Sequence, residues 1–536
     1  MKTYALVPVV LSLALLGCAE ESAEKRLASA KEYLQKNDPK AAVIEIKNAL
    51  QKNPDLGEAR YLLGSAFLKE GNPVAAEVEL RKALAAQYDR ELVVPDLARS
   101  MLLMGQAKKV VDEFGTAQLA KPAAEASLQV TLALAYAALG KLDPARSALS
   151  AALKADPSYA PAQLLNARQK ASDRDFDGAF AVVDEVIGRD AANVEAWKQK
   201  GDLLVYAKNL PEDGLAAYRK ALEIDPKLAP AHFAILTVLM QQGKLDEATK
   251  QLEQLKKFAA KNPQTRFVEA QLAYQKKDFK LAKELTQPLL QQAPKDPRLL
   301  QLAGAAEFHL GSIGQAEIYL SKALEAAPGM GLARRLLIAT YLRSGQPAKA
   351  LAVLNAAAGS DGLPPALFAL AGEVYLQNGD AKKAEEFFAK AVKLDPDNAR
   401  KRTALAVTHL AGGQAESGLD ELRNIAEADS GVSADLALIS THLRRKEYDK
   451  ALAAIDKLES KQPDKPMAAN LRGRVQLLQK DNAAARKSFE KALEIDPVFF
   501  AAAASLAAMD LADKKPDEAK KRFEGVLARD PKNKQA

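Results

Sequence analysis

The stretch PALFALAGEVYLQNGDAKKAEEFFAKAVKLDPDN, from Pro365 to Asn398, decides the fold of this chain. It is 34 residues long and holds two segments whose apolar residues recur three and four apart. That spacing is typical of amphipathic helices, and the Asn-Gly-Asp between the segments indicates a turn. Its marker residues, with their positions in the stretch, are Phe368 (4), Gly372 (8), Tyr375 (11), Gly379 (15), Ala384 (20), Phe388 (24), Ala391 (27) and Pro396 (32).

The same pattern recurs along the chain from about Ala23 to Pro531. A proline that closes a repeat returns at intervals of 34 or its multiples, within a residue or two, at Pro54, Pro157, Pro226, Pro294, Pro328, Pro396, Pro463, Pro497 and Pro531. This period and the small residues at positions 8 and 20 resemble the tetratricopeptide repeat. The pattern predicts an all-α, right-handed superhelical solenoid of about fifteen helix-turn-helix units over residues 23–536. Stacking between neighbouring repeats stabilises such a fold.

Composition agrees with one continuous array of helices. Apolar residues make up 48% of the chain and aromatic residues only 6%, and the uninterrupted repeats leave no room for a second domain. The pattern weakens over residues 87–126 and 356–365, where the closing proline is lost. We interpret these stretches as irregular repeats, with a hinge as the alternative.

The first residues of the chain do not follow the repeat pattern. Lys2 is followed by a largely apolar run from Ala5 to Leu16, which is too short to span a membrane and predicts a secretory signal peptide over residues 1–17. Leu15-Leu16-Gly17-Cys18 resembles the lipobox of bacterial lipoproteins, and this resemblance implies acylation of Cys18.

Cys18 is the sole cysteine of the chain, so no disulfide framework competes with a lipid-bearing role. Residues 18–22 would then be a short lipidated tether. The absence of Asp after Cys18 resembles lipoproteins sorted to the outer membrane, which predicts a periplasmic, lipid-anchored protein, at the outer rather than the inner membrane. The alternative is an incidental cysteine near an ordinary cleavage site.

The formal net charge of +7 comes from Lys/Arg and Asp/Glu that are mixed within the helices. The dense basic runs at 400–402, 444–446 and 520–522 are short and lack interleaved aromatic residues, which argues against nucleic-acid binding and favours ordinary solvated surface. Attraction to an anionic polysaccharide or to lipid head groups stays open as a minor alternative.

Motifs that carry catalysis or hold cofactors are missing from the sequence, including Gly-rich phosphate loops, His-Glu-x-x-His and Gly-x-Ser-x-Gly. We therefore predict a protein that is not an enzyme and takes no cofactor, metal or small-molecule substrate. His409 and His442 share position 11 in consecutive repeats, which suggests a metal-binding or pH-sensing pair. The favoured interpretation is that histidine replaces the packing tyrosine found there in other repeats.

Position 12 of each repeat is apolar throughout, apart from the hydroxyl of Tyr274: Leu34, Leu68, Leu102, Ala137, Ala171, Val205, Met240, Tyr274, Phe308, Leu342, Leu376, Leu410, Leu443, Leu477 and Leu511. In tetratricopeptide proteins this position faces the binding groove. The candidate partner groove is Tyr206, Phe233, Met240, Phe267, Gln271, Tyr274, Phe308, Leu342 and Leu376, with Gln241 and Gln275 beside it. The alternative is that position 12 packs inside the array. The Lys and Asn of a carboxylate clamp are missing from positions 5 and 9.

A closer resemblance rests on Leu16-Gly17-Cys18 together with ASAKEYL (28–34), AAVIEIKNALQKNP (41–54) and PVAAEVELRKAL (73–84). These segments resemble the tetratricopeptide-repeat lipoprotein of the PEP-CTERM/exosortase system. The resemblance implies a scaffold that binds proteins of exopolysaccharide biosynthesis, export or PEP-CTERM protein sorting. The alternative is a lipoprotein that assists outer-membrane protein or cell-wall assembly.

Overall fold

The computed structural model describes residues 22–358, 362–533 and 535–536. These residues form thirty α-helices and one short 3₁₀ turn, which confirms the predicted all-α fold of about fifteen helix-turn-helix units. The handedness of the array stays a prediction. The predicted signal peptide (1–17) and the lipidation site Cys18 lie outside the described residues. The chain divides into two compact units, Met1–Ala260 and Lys261–Ala536, which are described separately.

Among its described residues, 22–260, the first unit contains fourteen helices that pair in sequence as first and second helices of seven repeats. They are α1 Ala23–Gln35, α2 Pro39–Lys52, α3 Gly57–Lys69, α4 Pro73–Ala85, α5 Arg90–Leu103, α6 Ala107–Phe114, α7 Pro122–Ala138, α8 Leu142–Ala155, α9 Ala160–Ser172, α10 Phe176–Arg189, α11 Val194–Tyr206, α12 Pro211–Ile224, α13 Ala229–Gln241 and α14 Leu245–Ala259.

In the part of the second unit that the structure describes, sixteen helices form eight repeats. They are α15 Pro263–Gln275, α16 Phe279–Gln292, α17 Pro297–His309, α18 Ile313–Ala326, α19 Gly331–Arg343, α20 Pro347–Asn355, α21 Phe368–Gln377, α22 Ala381–Leu394, α23 Ala399–Ala411, α24 Ala415–Ala428, α25 Ser433–Arg444, α26 Tyr448–Lys461, α27 Met467–Leu478, α28 Asn482–Ile495, α29 Phe500–Ala512 and α30 Pro516–Arg529. The 3₁₀ turn Pro365–Leu367 precedes α21.

The two helices of a repeat meet where a glycine at position 8 lies under a large side chain at position 24. A Cβ atom added to any of these glycines would come within 3.0 Å of that side chain. The pairs are Gly64 with Leu80, Gly201 with Tyr218, Gly304 with Leu320, Gly372 with Phe388 and Gly473 with Phe489. All five large side chains are buried. The glycine therefore sets the distance between the helices, and the large residue fills the space that the missing Cβ leaves.

Position 20 supplies the second close approach, from the second helix back to the first. It is mostly alanine, and Ala316, Ala384 and Ala485 are fully buried. Where it is glycine, as at Gly418, an added Cβ would lie 2.8 Å from the backbone oxygen of Ala406. Small residues at positions 8 and 20 thus let the two helix backbones pack closely.

The turn between the two helices needs a left-handed residue at position 15. Glycine fills it in eight repeats, for example Gly379 with φ of 82°. Lys277, Lys446 and Lys480 adopt the same conformation with φ between 60° and 66°. A residue with a Cβ atom is strained in this conformation. The turn nevertheless keeps the same conformation in the repeats that have lysine at position 15.

The predicted irregular stretch 87–126 contains the least regular repeat of the first unit. Its second helix, α6, has only eight residues and leads into an extended connection before α7. The Glu91 carboxylate holds this connection, because it accepts hydrogen bonds from the backbone N–H groups of Ala120 (3.0 Å) and Lys121 (2.9 Å). These bonds lower the pKa of Glu91. The stretch is a repeat with a shortened helix and a tied loop.

We expect Gly372→Ala to destabilise the second unit, because its Cβ would lie 2.7 Å from the ring of Phe388. Overpacking of this kind costs about 1–3 kcal/mol, so the urea midpoint followed by circular dichroism should fall. Gly525→Ala is the control, since nothing lies within 4 Å of the added Cβ in α30, and its midpoint should hold or rise through better helix propensity. Equal midpoints for the two variants would contradict the packing role of position 8.

Candidate functional site

The residues at position 12 divide between packing and surface. Phe308 and Leu342 are buried in the hydrophobic core formed around α18, α19 and α20. Leu376 and Leu410 are half-buried, and Leu511 is 57% exposed. Position 12 therefore packs between helices in some repeats and reaches the surface in others.

In the first unit, the candidate residues lie on α11 and α13. Tyr206 is the last residue of α11, and its side chain is 64% exposed. Phe233 and Met240 are half-buried on α13. Tyr206 is thus the candidate in this unit whose aromatic ring is free to meet a partner.

In the second unit, Tyr274 belongs to an aromatic cluster that joins consecutive repeats. Its hydroxyl lies 3.2 Å from Nε2 of His309, and the His309 ring stacks on Phe279 with centroids 4.3 Å apart. Burial raises the pKa of Tyr274, against the opposing effect of Arg335. Burial and the nearby Arg343 lower the pKa of His309, so its neutral form is favoured. This cluster fastens the end of α17 to the start of α16.

Cations lie over two further candidate rings. The Arg343 guanidinium lies 4.4 Å from the ring centroid of Phe308, and that of Arg298 lies 5.5 Å from the ring of Phe267. Gln271 is half-buried on α15. The Phe308 ring is also packed in the hydrophobic core. It therefore stabilises the fold, and the guanidinium of Arg343 lies over it.

Leu376 lines two neighbouring clefts that run along the first helices α21, α23 and α25. One cleft of about 540 Å³ is bordered by Leu370, Glu373 and Arg400. The other, of about 530 Å³, is bordered by Leu410 and Arg444, and both are floored by Leu376 and Val407. Burial raises the pKa of Glu373. The clefts combine an apolar floor with charged walls, which is the construction of a binding surface.

Arg400 and Arg444 are functional candidates that the sequence analysis missed. They belong to the basic runs 400–402 and 444–446, which we interpreted as solvated surface. The repeat register could have identified them, since Arg400 occupies position 2 and Arg444 position 13, on the same first helices as the apolar position 12. The charge runs concealed them, because the neighbouring basic residues form ion pairs within the protein: Lys401 pairs with Asp395, and Arg445 pairs with Glu416 and Glu447.

The histidines at position 11 each meet carboxylates of their own. Nδ1 of His409 lies 3.0 Å from Glu421, and Nδ1 of His442 lies 2.7 Å from Glu447. The hydrogen bond from His442 lowers the pKa of Glu447. In the part of the chain that the structure describes, no group of three or more His, Cys, Asp or Glu is arranged to hold a metal ion. The two histidines thus make separate contacts with different glutamates.

Within the described ranges, every helix is too short or too polar to cross a lipid bilayer.

Comparison with known families identifies the repeat. A family model described as Tetratricopeptide repeat matches residues 27–90, 164–229, 267–330, 337–399 and 436–498, which together exceed half of the chain. Two further models with the same description match residues 375–434 and 126–159. Among curated proteins, none matches the sequence at a significant level.

The chain is also similar to solved structures at low sequence identity. The APC/C hetero-tetramer Cut9–Hcn1 is 14% identical over 89% of this chain and 94% of that chain, with a TM-score of 0.43. A tetratricopeptide repeat protein from Parabacteroides merdae is 16% identical over 46% of this chain and 98% of that chain, with a TM-score of 0.38. Pseudomonas aeruginosa pilF is 20% identical over 40% and 96%, with a TM-score of 0.35.

We expect the cluster around His309 to weaken as the pH falls. Because the pKa of His309 is lowered in the folded protein, the unfolded chain binds more protons, and the stability from this group is present above the ordinary pKa of about 6.5 and declines below it. His309→Phe keeps the ring stack and removes this dependence. The urea midpoint should fall less for the variant than for the parent between pH 7.5 and pH 5. An NMR titration with the His309 pKa at or above its ordinary value would contradict this.

Proposed function

We propose that this chain, which belongs to the tetratricopeptide repeat family, is a membrane-anchored periplasmic scaffold for proteins of exopolysaccharide biosynthesis, export or PEP-CTERM protein sorting. Tetratricopeptide repeats typically form non-catalytic scaffolds that bind other proteins. The observation that carries the scaffold role is the pair of apolar-floored clefts along α21, α23 and α25. The resemblance of the N-terminal segments to the PEP-CTERM-associated lipoprotein supports the choice of system.

Membrane attachment rests on Leu15-Leu16-Gly17-Cys18 and on the short distance to the first repeat. α1 begins at Ala23 with Ser22 as its N-cap. Five residues span at most about 17 Å when fully extended, so an acylated Cys18 would hold the first repeats close to the bilayer. Several acyl chains on one cysteine give durable attachment, whereas one chain gives only marginal binding.

The anchoring proposal predicts that Cys18→Ala releases the protein from the membrane fraction into the soluble periplasm. Gly17→Ala is the matched control, because it keeps a small residue before the cysteine and should leave the protein on the membrane. Fractionation with metabolic labelling by a fatty acid measures both. Membrane retention of the Cys18→Ala protein would refute the anchor.

The scaffold proposal predicts that in-cell crosslinking of the tagged full-length protein recovers components of polysaccharide synthesis, export or exosortase sorting. Tyr206→Ser should reduce recovery of partners that meet the first unit, because this ring is exposed. Ile318→Ser is the control, since Ile318 is 45% exposed on the second helix α18 and is not one of the candidate groove residues. Phe308 is unsuitable for this test, because its burial makes any polar change a test of folding. Recovery of barrel-assembly or cell-wall enzymes instead would favour the alternative function.

A further inference from the structure

The first-helix surface of the second unit carries arginines that the protein itself does not neutralise. Over α17 to α27, the charged residues at repeat positions 2, 5, 9 and 13, apart from histidine, are six arginines and one glutamate. Arg298 pairs with Asp296 at 2.9 Å. The other five, which we call the arginine track, make no ion pair with a carboxylate among the described residues; they are Arg335, Arg343, Arg400, Arg444 and Arg474.

The same positions in the first unit are occupied differently. There, several charged residues pair with one another within a repeat or across neighbouring repeats. Lys31 lies 2.6 Å from Glu58, Lys198 lies 2.7 Å from Asp202, and Arg168 pairs with Glu195. Among the described residues of the first unit, one arginine at these positions, Arg99, makes no ion pair, against five in the second unit. Unpaired arginines are therefore concentrated in the second unit.

The surroundings of the arginine track show what it can bind. Between Arg400 and Arg444 lie the two clefts floored by Leu376 and Val407. The guanidinium of Arg343 lies over the ring face of Phe308, and its Nη1 donates a hydrogen bond to the backbone oxygen of Phe308 at 3.4 Å. Guanidinium groups bind carboxylates through paired hydrogen bonds, and the apolar floor between them accepts an aliphatic or aromatic side chain.

We propose that the clefts along α21, α23 and α25 bind an extended segment of a partner protein in which acidic residues flank an apolar residue. The carboxylates of the segment meet Arg400 and Arg444, and its apolar side chain enters the floor at Leu376 and Val407. This inference rests on the proposed scaffold function and specifies the chemistry of the partner.

Other polyanions fit this surface less well. Single-stranded nucleic acid is held by aromatic rings that stack on its bases, but the floor of the clefts is Leu, Val and Ala, apart from Phe388 at the edge of one cleft. A chain of uronic acids offers carboxylates without any apolar side chain to fill the floor. Glu373 lines one of the clefts. Its carboxylate would repel a ligand that carries negative charge at every position, whereas a segment with an apolar residue beside Glu373 avoids this repulsion.

Fluorescence anisotropy with the purified full-length protein tests the proposal. The probe is a twelve-residue peptide with three leucines, each flanked by aspartates. Controls replace every Asp by Lys, or every Leu by Ser. The Asp/Leu peptide should bind and both controls should bind much more weakly, and added salt should weaken binding because exposed charges are screened. Equal binding of a control peptide, or tighter binding of an oligogalacturonate or an oligothymidine, would overturn the proposal.

The paired variant Arg400→Gln with Arg444→Gln should weaken binding of the Asp/Leu peptide by about tenfold to a hundredfold, since each lost charged hydrogen bond is worth up to about tenfold. The conservative Arg400→Lys with Arg444→Lys should retain part of the affinity. Arg168→Gln is the matched control, because it removes an arginine from position 9 that is already paired with Glu195, and its binding should stay within about twofold of the parent.

Circular dichroism establishes that the Gln variants remain folded, as expected for arginines without carboxylate partners. Unchanged peptide affinity in the folded Arg400/Arg444 variant would overturn the proposal. If crosslinked partners are still recovered in cells while the peptide fails to bind, the scaffold function stands and this assignment of its partner fails. If no partner is recovered from cells, the scaffold function itself fails.

Discussion

The fold depends on the approach of two helix backbones at position 8 of each repeat. Glycine there leaves a gap that one large side chain at position 24 fills, as Phe388 does over Gly372. Because protein interiors are packed nearly as densely as organic crystals, a single methyl group at this point must displace a neighbour. The distance between the two helices then determines where the side chain at position 11 lies, and therefore which residues of neighbouring repeats it can contact.

Position 11 lies between the second helix of its own repeat and that of the preceding one. Asp510 shows this, because Arg522 of α30 donates to it at 3.1 Å while Arg486 of α28 binds from the other side. Burial alone would raise the pKa of Asp510, but these two arginines lower it. His409 likewise contacts Glu421 of α24 and Glu385 of α22. A polar residue at position 11 therefore joins three helices, so electrostatics links neighbouring repeats where tyrosine would do so by packing.

Much of this architecture could be predicted from the sequence, because helix periodicity and small residues at fixed positions depend only on local spacing. The fifteen units and their register followed from that. The burial of Phe308 and Leu342 did not follow from the sequence pattern. A side chain at position 12 packs in the core or lies at the surface according to the side chains of the following repeats. The left-handed Lys277 and Lys480 also escaped notice, since only glycine announces that conformation in a sequence. The pairing of Arg168 with Glu195 could not be predicted, because it joins residues 27 apart.

The two units differ in how they use the positions that packing leaves free. Positions 8, 20 and 24 are fixed by the contact between helices, so variation is confined to positions such as 2, 5, 9 and 13. In the first unit, several opposite charges at these positions pair with one another, as Lys31 and Glu58 do. A paired charge is a weaker attraction for an outside group, since binding must first break the existing pair. Unpaired arginines such as Arg400 and Arg444 carry no such cost, and their separation by an apolar floor adds a requirement of shape to one of charge. In the proposed binding mode, selectivity is therefore set by which charges the repeats leave unpaired, while the repeats themselves set only the spacing between those charges.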